Sequence, residues 1–160
     1  NQLTSLDVSK NVALTNLSCG GNQLASLDVT QNIALTNLSC GSNQLTSLDV
    51  SKNTALNYLL VSSNQLTCLN LKNGDNQILW IYAIDNINLS CIEVDDTAWA
   101  AANLTGIDPQ TSFSTNCGND CDGTELGIFE NAEQTIQAYP NPFSSSTTIE
   151  FPNPAKEFSK

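Results

Sequence analysis

The chain has 160 residues, with 16 acidic and five basic side chains, a net charge of −11, and neither histidine nor methionine. The negative charge argues against nucleic acid or an anionic membrane as a partner. Without histidine the chain cannot build a Ser-His-Asp triad, and no apolar run approaches the length of a membrane span. Neither an enzyme of the triad type nor a membrane-spanning protein is therefore expected.

The first predicted elements are repeats. The phrase Asn-Gln-Leu occurs four times, starting at Asn1, Asn22, Asn43 and Asn64, which gives a constant 21-residue period. A fixed period of this length is typical of a solenoid, in which one turn cannot bury its own apolar face and is covered by its neighbours. About ten residues on each side of a turn leave no room for a helix, so β-structure is expected.

Each copy carries the same apolar motif. In the second copy, Leu14, Leu17, Cys19, Asn22 and Leu24 fit the pattern L-x-x-L-x-L-x-x-N-x-L. The third and fourth copies repeat it with Leu35, Leu38, Cys40, Asn43 and Leu45, and with Leu56, Leu59, Val61, Asn64 and Leu66. Over residues 1–94 this pattern resembles the leucine-rich repeat family, in its short bacterial class whose second half-repeat reads L-x-x-L-D-V. The resemblance implies a mainly β leucine-rich repeat solenoid with short parallel strands, little helix and a C-terminal cap.

Two asparagine columns accompany the leucines. One column is Asn22, Asn43 and Asn64, and the other is Asn11, Asn32 and Asn53. We expect the first column to turn inward and bond the backbone between turns, because a buried backbone group left unpaired costs about 1–3 kcal/mol. The second column is expected to do the same on the other side of the solenoid.

The half-repeat that begins at Leu14 is the better candidate for the concave strand. Leu24 follows Asn22 by two residues, as the motif demands, whereas Leu35 follows Asn32 by three. Side chains on the outward positions of these strands are predicted to line the concave surface.

Aromatic side chains replace small polar ones on that surface toward the C-terminal end of the repeats. Tyr58, Leu60, Trp80 and Tyr82 are expected to form one ligand-binding patch on two neighbouring strands. Such a cluster suits stacking against sugars or anchoring a protein partner. Two alternatives stay open: the cap or a neighbouring molecule covers the patch, or an insertion at residues 73–75 turns Trp80 inward.

The opposite half-repeat carries an acidic ladder. Its members are Asp7, Asp28, Asp49, Asn70 and Glu93. Carboxylates about 5 Å apart repel one another, so backbone donors, the nearby lysines or bound cations must relieve the repulsion. A structural role in the turn is the simpler interpretation, and weak divalent-cation binding is the functional alternative.

A C-terminal cap is predicted over residues 95–121. The fifth repeat, around residues 78–94, is degenerate, as terminal repeats commonly are. The Ala-rich stretch that follows predicts a short helix with Trp99 packed over the last turn. Asp95 and Asp96 could in principle pair as glycosidase carboxylates, but capping that helix is the simpler role.

The cysteines fall into different classes. Cys19 and Cys40 occupy inward positions and are expected to be buried thiols. Cys68 and Cys91 occupy equivalent outward positions of adjacent turns, about 4.8 Å apart if the strands pair, so a disulfide between them is geometrically possible. The chain lacks both histidine and a C-x-x-C pair, so no metal site is predicted. No cofactor is predicted either.

The cap also resembles a known one. Residues 89–92 and 113–117, which contain Cys91 and Cys117, resemble the C-terminal cap of flavobacterial leucine-rich repeat proteins. This resemblance implies a Cys91–Cys117 disulfide.

The last two segments differ in composition from the repeats. Residues 122–138 continue a Gly-, Asn- and acid-rich stretch that is typical of a linker, where Asp120, Asp122 and Glu125 faintly match a calcium loop. Residues 139–160, which open with Tyr-Pro-Asn-Pro-Phe, resemble the start of the sorting domain of the type IX secretion system of Bacteroidetes. That resemblance implies export, with the secretion machinery as a partner, and the chain is interpreted as the C-terminal piece of a longer protein.

These features predict a non-catalytic recognition or adhesion protein, secreted or displayed on the outer cell surface. It would bind a glycan or a protein through the concave repeat surface. The first alternative is a structural spacer that displays a catalytic or binding domain. The second, an ice- or mineral-binding surface, is weakened by the irregular Ser and Thr ladders.

Overall fold

A computed structural model describes residues 1–74, 78, 80–118 and 121. All of them lie within one compact unit, Asn1–Leu126. The predicted linker and the predicted sorting segment, residues 122–138 and 139–160, lie outside the described residues, as do the three acidic residues of the possible calcium loop. Among the described residues, no helix is both long and apolar enough to cross a membrane.

Short strands make up most of the regular secondary structure of the described residues, which form eight three-residue strands and one short helix. These elements are β1 Asn16–Ser18, β2 Asn37–Ser39, β3 Ser47–Asp49, β4 Tyr58–Leu60, β5 Cys68–Asn70, β6 Trp80–Tyr82, β7 Cys91–Glu93, α1 Thr97–Asn103 and β8 Ser112–Ser114. The mainly β composition with little helix confirms the prediction from the sequence.

The strands form two parallel four-stranded sheets. Sheet A has the order β1-β2-β4-β6, and sheet B has the order β3-β5-β7-β8. In sheet A, Leu17 pairs with Leu38 and Leu38 pairs with Leu59, so each of these turns advances the chain by one repeat period. The chain therefore winds as a β-solenoid in which successive turns add one strand to each sheet, as the leucine spacing predicts.

The core lies between the two sheets. The middle residue of each inner strand points inward, and Leu38, Leu59, Leu69 and Ile92 are completely buried. Burying one such side chain contributes about 1.5–3 kcal/mol. A three-residue strand is too short to be stable alone, so the stacked leucine columns hold it in register.

The first asparagine column joins neighbouring turns, as predicted. Asn43 accepts a hydrogen bond from the backbone N–H of Leu24 in the preceding turn through Oδ1, at 3.1 Å. Its Nδ2 donates to the carbonyl oxygens of Cys19 and Cys40. Asn64 and Asn86 repeat this arrangement one and two turns later. Each side chain thus accepts from a backbone N–H of the preceding turn and shares a carbonyl oxygen with the asparagine of the neighbouring turn.

The second asparagine column uses its donors in the same way. Asn53 is completely buried, and its Nδ2 donates to the carbonyl oxygens of Val29 and Asn32, both at 2.9 Å. Asn32 makes the equivalent bonds one turn earlier. Within the described residues, the Oδ1 atoms of both side chains have no hydrogen-bond partner. This column therefore joins the turns through its amide hydrogens.

Two turns are longer than the repeat period. Tyr58 pairs with Trp80, one residue further along the chain than the period predicts, and Leu69 pairs with Ile92, two residues further. The extra residues leave the strand register intact on both sides of the solenoid. The degenerate fifth repeat is therefore still a regular turn at the level of its strands.

The predicted helical cap is present. Helix α1 begins after Asp96, whose side chain accepts hydrogen bonds from the backbone N–H groups of Ala98 and Trp99. Asp96 is thus an N-cap, the role preferred on sequence grounds. Trp99 is half-buried and packs against the core, as expected.

Strand β8 was not predicted. It pairs with β7 in parallel, Ile92 opposite Phe113, and adds a fourth strand to sheet B. On the sheet A side, the described residues of the same turn form no strand. Instead, the carbonyl oxygen of Gly106 accepts a hydrogen bond from the N–H of Ala83, next to β6. The cap is therefore a further solenoid turn in which α1 and the segment after it replace the sheet A strand.

Two disulfides join the end of the cap to sheet B. Cys91 is bonded to Cys117, the pair implied by the resemblance to known caps, and Cys68 is bonded to Cys121. The Cys68–Cys91 bond that strand spacing allows is not formed, because the chain after β8 runs back across sheet B and reaches both cysteines. Cys117 also donates its backbone N–H to Glu93 Oε1 at 2.9 Å.

Cys19 and Cys40 are free, buried thiols, as predicted. Burial raises the pKa of both thiols, and at Cys40 the neighbouring Cys19 raises the pKa further. A raised pKa leaves very little thiolate at neutral pH, and the thiolate is the reactive form. These two side chains therefore act as core residues.

Candidate functional site

The outward face of sheet A is built from three columns of side chains. Because side chains alternate across a strand, every second residue of β1, β2, β4 and β6 points away from the core. The columns are Asn16, Asn37, Tyr58 and Trp80, then Ser18, Ser39, Leu60 and Tyr82, then Gly20, Gly41, Ser62 and Ile84. The register therefore brings together the four residues that the sequence predicts as a ligand-binding patch.

The large side chains of this patch lie on β4 and β6. Trp80 is 61% exposed and Tyr82 is 41% exposed, whereas Tyr58 and Leu60 are half-buried. The rings of Tyr58 and Tyr82 lie with their centroids 6.4 Å apart at an interplanar angle of 51°. This is a tilted aromatic pair within the distance range at which two rings attract each other. We call these four residues the aromatic patch.

Trp80 points outward despite the insertion that precedes it. Its backbone N–H donates to the carbonyl oxygen of Asn57, which fixes β6 in register beside β4. The described part of the cap does not cover the ring, because the segment around Gly106 lies at the edge of β6 beside Ala83. Of the alternatives open at the sequence level, an inward Trp80 is therefore wrong.

Side-chain size rises along the face in all three columns. The first two turns present Asn16, Ser18 and Gly20 and their counterparts one turn on, whereas the last turn presents Trp80 and Tyr82. Gly41 has little free space above it, since a Cβ there would lie 3.1 Å from the carbonyl oxygen of Ser62. We call the small side chains of the first two turns the floor of the face, and Trp80 and Tyr82 of the last turn its aromatic wall.

Ile84 extends the wall, and sequence reasoning missed it. It is 43% exposed and follows Tyr82 at the next outward position. The signal was available, because Gly20, Gly41 and Ser62 precede it in the same column. The third column was missed because the repeat motif places the end of the strand near Cys19, one residue before Gly20.

A tight turn after each strand of sheet A fixes the shape of the face. Gly21, Ser42, Ser63 and Asp85 occupy equivalent positions there, all with φ between 55° and 65°. A left-handed backbone is natural for glycine and costly for other residues. The asparagine that follows each of them is tied to two turns, so it holds the corner in place. The face is therefore preformed.

The acidic ladder of the other half-repeat serves the turns of the backbone. Asp49 accepts a hydrogen bond from the N–H of Ser51 at 2.7 Å, and Asp28 accepts one from Thr30 at 2.9 Å. Asn70 Oδ1 accepts the equivalent hydrogen bond from the backbone N–H of Lys72. An equivalent bond from the backbone N–H of Ser9 lowers the pKa of Asp7. Of the three ways to offset the repulsion between these carboxylates, backbone N–H donors are the one that the structure shows.

A shallow, open cavity of about 280 Å³ lies beside this ladder, away from the aromatic patch. It is lined by Ser5, Leu6, Asp7, Ser9, Ser26, Asp28 and Gln31. Within the part of the chain that the structure describes, no three His, Cys, Asp or Glu side chains converge as metal ligands. The cavity holds two carboxylates that already accept backbone hydrogen bonds.

Comparison with known proteins gives one structural likeness. No protein-family model matches the chain, and no curated protein matches it. A solved structure, the functional domain of InlJ from Listeria monocytogenes, described as including a cysteine ladder, is similar over 58% of this chain with 33% identity and a TM-score of 0.47. The chain spans only 24% of the length of that structure. The solenoid described above rests on this chain's own strand register.

Proposed function

We propose that this chain is a non-catalytic extracellular recognition protein that binds a glycan or a protein through the outward face of sheet A. The observation that carries the proposal is the exposure of Trp80 and Tyr82 beside Tyr58 and Leu60 on neighbouring strands. A contiguous exposed apolar patch with a polar surround is typical of an interaction site. The preformed face keeps the entropy lost on binding small.

The disulfide bonds support an extracellular location for this protein. The two disulfides belong to a bond type that persists mainly in secreted and surface proteins. The sequence of residues 139–160 supports export through a type IX secretion system in a Bacteroidetes-type bacterium, with the secretion machinery as a second partner. The lack of histidine in the whole chain supports a role in binding rather than catalysis.

The proposal is tested by binding measurements on immobilised polysaccharides and extracellular proteins. Wild-type protein is compared with Trp80→Ala and with Ile33→Ala by surface plasmon resonance. Ile33 is a matched control because its side chain is 62% exposed, close to the 61% of Trp80, yet it lies in the corner before β2. We expect a partner whose affinity falls about tenfold or more in Trp80→Ala and stays unchanged in Ile33→Ala.

The two variants also separate specific binding from general stickiness. Equal losses in both would indicate nonspecific apolar contact and would contradict the proposed site. Unfolding curves recorded for each variant check that the fold is kept, and both substitutions should change stability little because both side chains are largely exposed.

A further inference from the structure

Charged side chains are absent from the three outward columns of the sheet A face, and Asp85 in the corner after β6 is the nearest acidic residue in sequence to these columns. Residues 11–27, 29–48 and 53–71 contain no Asp, Glu, Lys or Arg, although the chain carries 16 acidic and five basic residues and a net charge of −11. These three ranges include β1, β2 and β4 together with the corners that flank them. The floor of the sheet A face is therefore uncharged, so it offers no partner for a charged ligand group.

The overall negative field adds to this selection. An acidic polymer approaching the face would meet repulsion from the rest of the molecule, without a lysine or arginine on the floor to offset it. A basic ligand would be drawn to the acidic ladder on the other half-repeat, where Asp7, Asp28 and Asp49 lie. The face itself is thus best suited to an uncharged ligand.

The floor offers hydrogen-bond donors and acceptors that are unused within the described residues. Asn37 accepts at Oδ1 from the hydroxyl of Thr36 at 2.8 Å, which leaves its Nδ2 hydrogens for a ligand. The hydroxyls of Ser18 and Ser39 make no hydrogen bond within the described part of the chain. A hydroxyl both donates and accepts. The surface therefore matches a ligand whose own groups do both, as sugar hydroxyls do.

The aromatic wall adds an apolar surface on which a sugar ring can stack. The C–H face of a pyranose ring is apolar and packs flat against an aromatic ring, and Trp80 and Tyr82 are exposed enough to take one each. Protein interfaces favour arginine together with tyrosine and tryptophan in their energetic centres. The sheet A face has the aromatics without any cationic side chain in its columns.

We infer that the partner is a neutral polysaccharide, which rests on the proposed function of the sheet A face. Pyranose rings stack on Trp80 and Tyr82, while Asn37 and Ser39 hydrogen-bond the hydroxyls of sugars further along the chain. Parallel strands lie about 4.8 Å apart, so a linear glycan running across them meets an equivalent side chain on each strand.

The inference is tested with uncharged oligosaccharides as probes. The folded protein is titrated with hexasaccharides of β-glucose, mannose and xylose and with two acidic controls, polygalacturonate and heparin, and binding is measured by isothermal titration calorimetry, which does not depend on the tryptophan that is replaced. We expect saturable binding to at least one neutral hexasaccharide, weakened about tenfold in Trp80→Ala and unchanged in Ile33→Ala. The affinity should not change between about 50 mM and about 500 mM NaCl, because no ion pair forms.

Other outcomes separate this inference from the proposed function. Binding only to the acidic polymers, or an affinity that falls steeply with salt, would overturn the neutral-glycan inference. If no neutral glycan binds but an extracellular protein does so in a Trp80-dependent way, the proposed function stands and the inference fails. If no partner of either class depends on Trp80, both fail.

Discussion

Asn43 shows how a single side chain can hold two turns together. It accepts from the N–H of Leu24 and donates to the carbonyl oxygens of Cys19 and Cys40. Asn43→Ala leaves the buried N–H of Leu24 without this acceptor. The carbonyl oxygens of Cys19 and Cys40 each lose one of two side-chain donors, since Asn22 and Asn64 still donate to them. The free energy of unfolding should therefore fall by about 2 kcal/mol. Urea unfolding followed by circular dichroism measures the change.

The neighbouring Gln44 provides the control for that measurement. Its side chain is exposed, so Gln44→Ala should alter stability by no more than about 0.5 kcal/mol. If the two variants unfold at the same urea concentration, the asparagine column would not be a stabilising link between turns.

The free thiols give a second prediction for individual residues. Because burial raises the pKa of Cys19 and Cys40, neither should react with a thiol reagent such as DTNB while the protein is folded at neutral pH. Both should react at once in denaturant, when the thiols return to their ordinary pKa. Rapid labelling of the native protein would contradict the assignment of these residues to the core.

At the scale of elements, the cap depends on close contact between two backbones. Gly106 lies against β6, and a Cβ at this position would overlap the carbonyl oxygen of Ile81. Gly106→Ala should therefore push the segment after α1 away from β6 and lower stability by about 2 kcal/mol. Denaturant unfolding gives the stability, and the fluorescence of Trp99, which packs against the core, reports on the cap.

Thr105→Ala is the matched control for the cap, because Thr105 is exposed and adjacent in sequence. It should unfold at the same denaturant concentration as the wild type. A Gly106→Ala protein that does the same would mean that the cap tolerates separation from β6.

The sequence predicts the repeats and the helix of the cap, but neither the strand after that helix nor the Cys68–Cys121 bond. Leu17, Leu38 and Leu59 recur in phase, so the solenoid follows from the constant period. The place of Trp80 beside Tyr58 is one residue out of that period and follows instead from the motif of the fifth repeat. Strand β8 keeps the 21-residue step from Ile92 to Phe113 but departs from the motif in residue type, because Phe113 stands where the earlier turns have leucine or isoleucine. Its place in sheet B depends on contacts with α1 and on two disulfides.

The Cys68–Cys121 bond shows why the rest could not be predicted. Strand spacing places Cys68 beside Cys91, and nothing in the local sequence indicates that the chain turns back after β8. That reversal depends on tertiary contacts such as the hydrogen bond from Lys72 Nζ to the carbonyl oxygen of Thr115 at 3.0 Å. Local sequence patterns determine the solenoid turns, whereas long-range contacts determine how the end of the cap is attached to sheet B.

At the scale of the whole molecule, the same bond decides how the protein carries tension. Cys68 and Cys121 are separated by 53 residues. A pull between the first turns and the chain beyond Cys121 passes directly through the disulfide, so the residues between the two cysteines remain slack. The Cys91–Cys117 bond lies inside that slack loop and bears none of the pull.

Single-molecule force spectroscopy measures this directly. Full reduction should lengthen the unfolded protein by about 180 Å, the extended length of the 53-residue loop. The pair Cys68→Ser and Cys121→Ser should lengthen it by only about 90 Å, because the Cys91–Cys117 bond still closes 26 of those residues. The matched pair Cys91→Ser and Cys117→Ser should leave the released length unchanged. Equal lengths for oxidised and reduced wild-type protein would show that the bond is not in the path of the force.

The load path also divides the sheet A face. Trp80 and Tyr82 lie inside the sheltered loop, whereas Tyr58 and Leu60 lie on the part of the chain that transmits the load. A pull applied between the first turns and the C-terminal side would therefore strain β4 before β6. The two most exposed side chains of the aromatic patch would thus keep their arrangement at forces that begin to unravel the earlier turns.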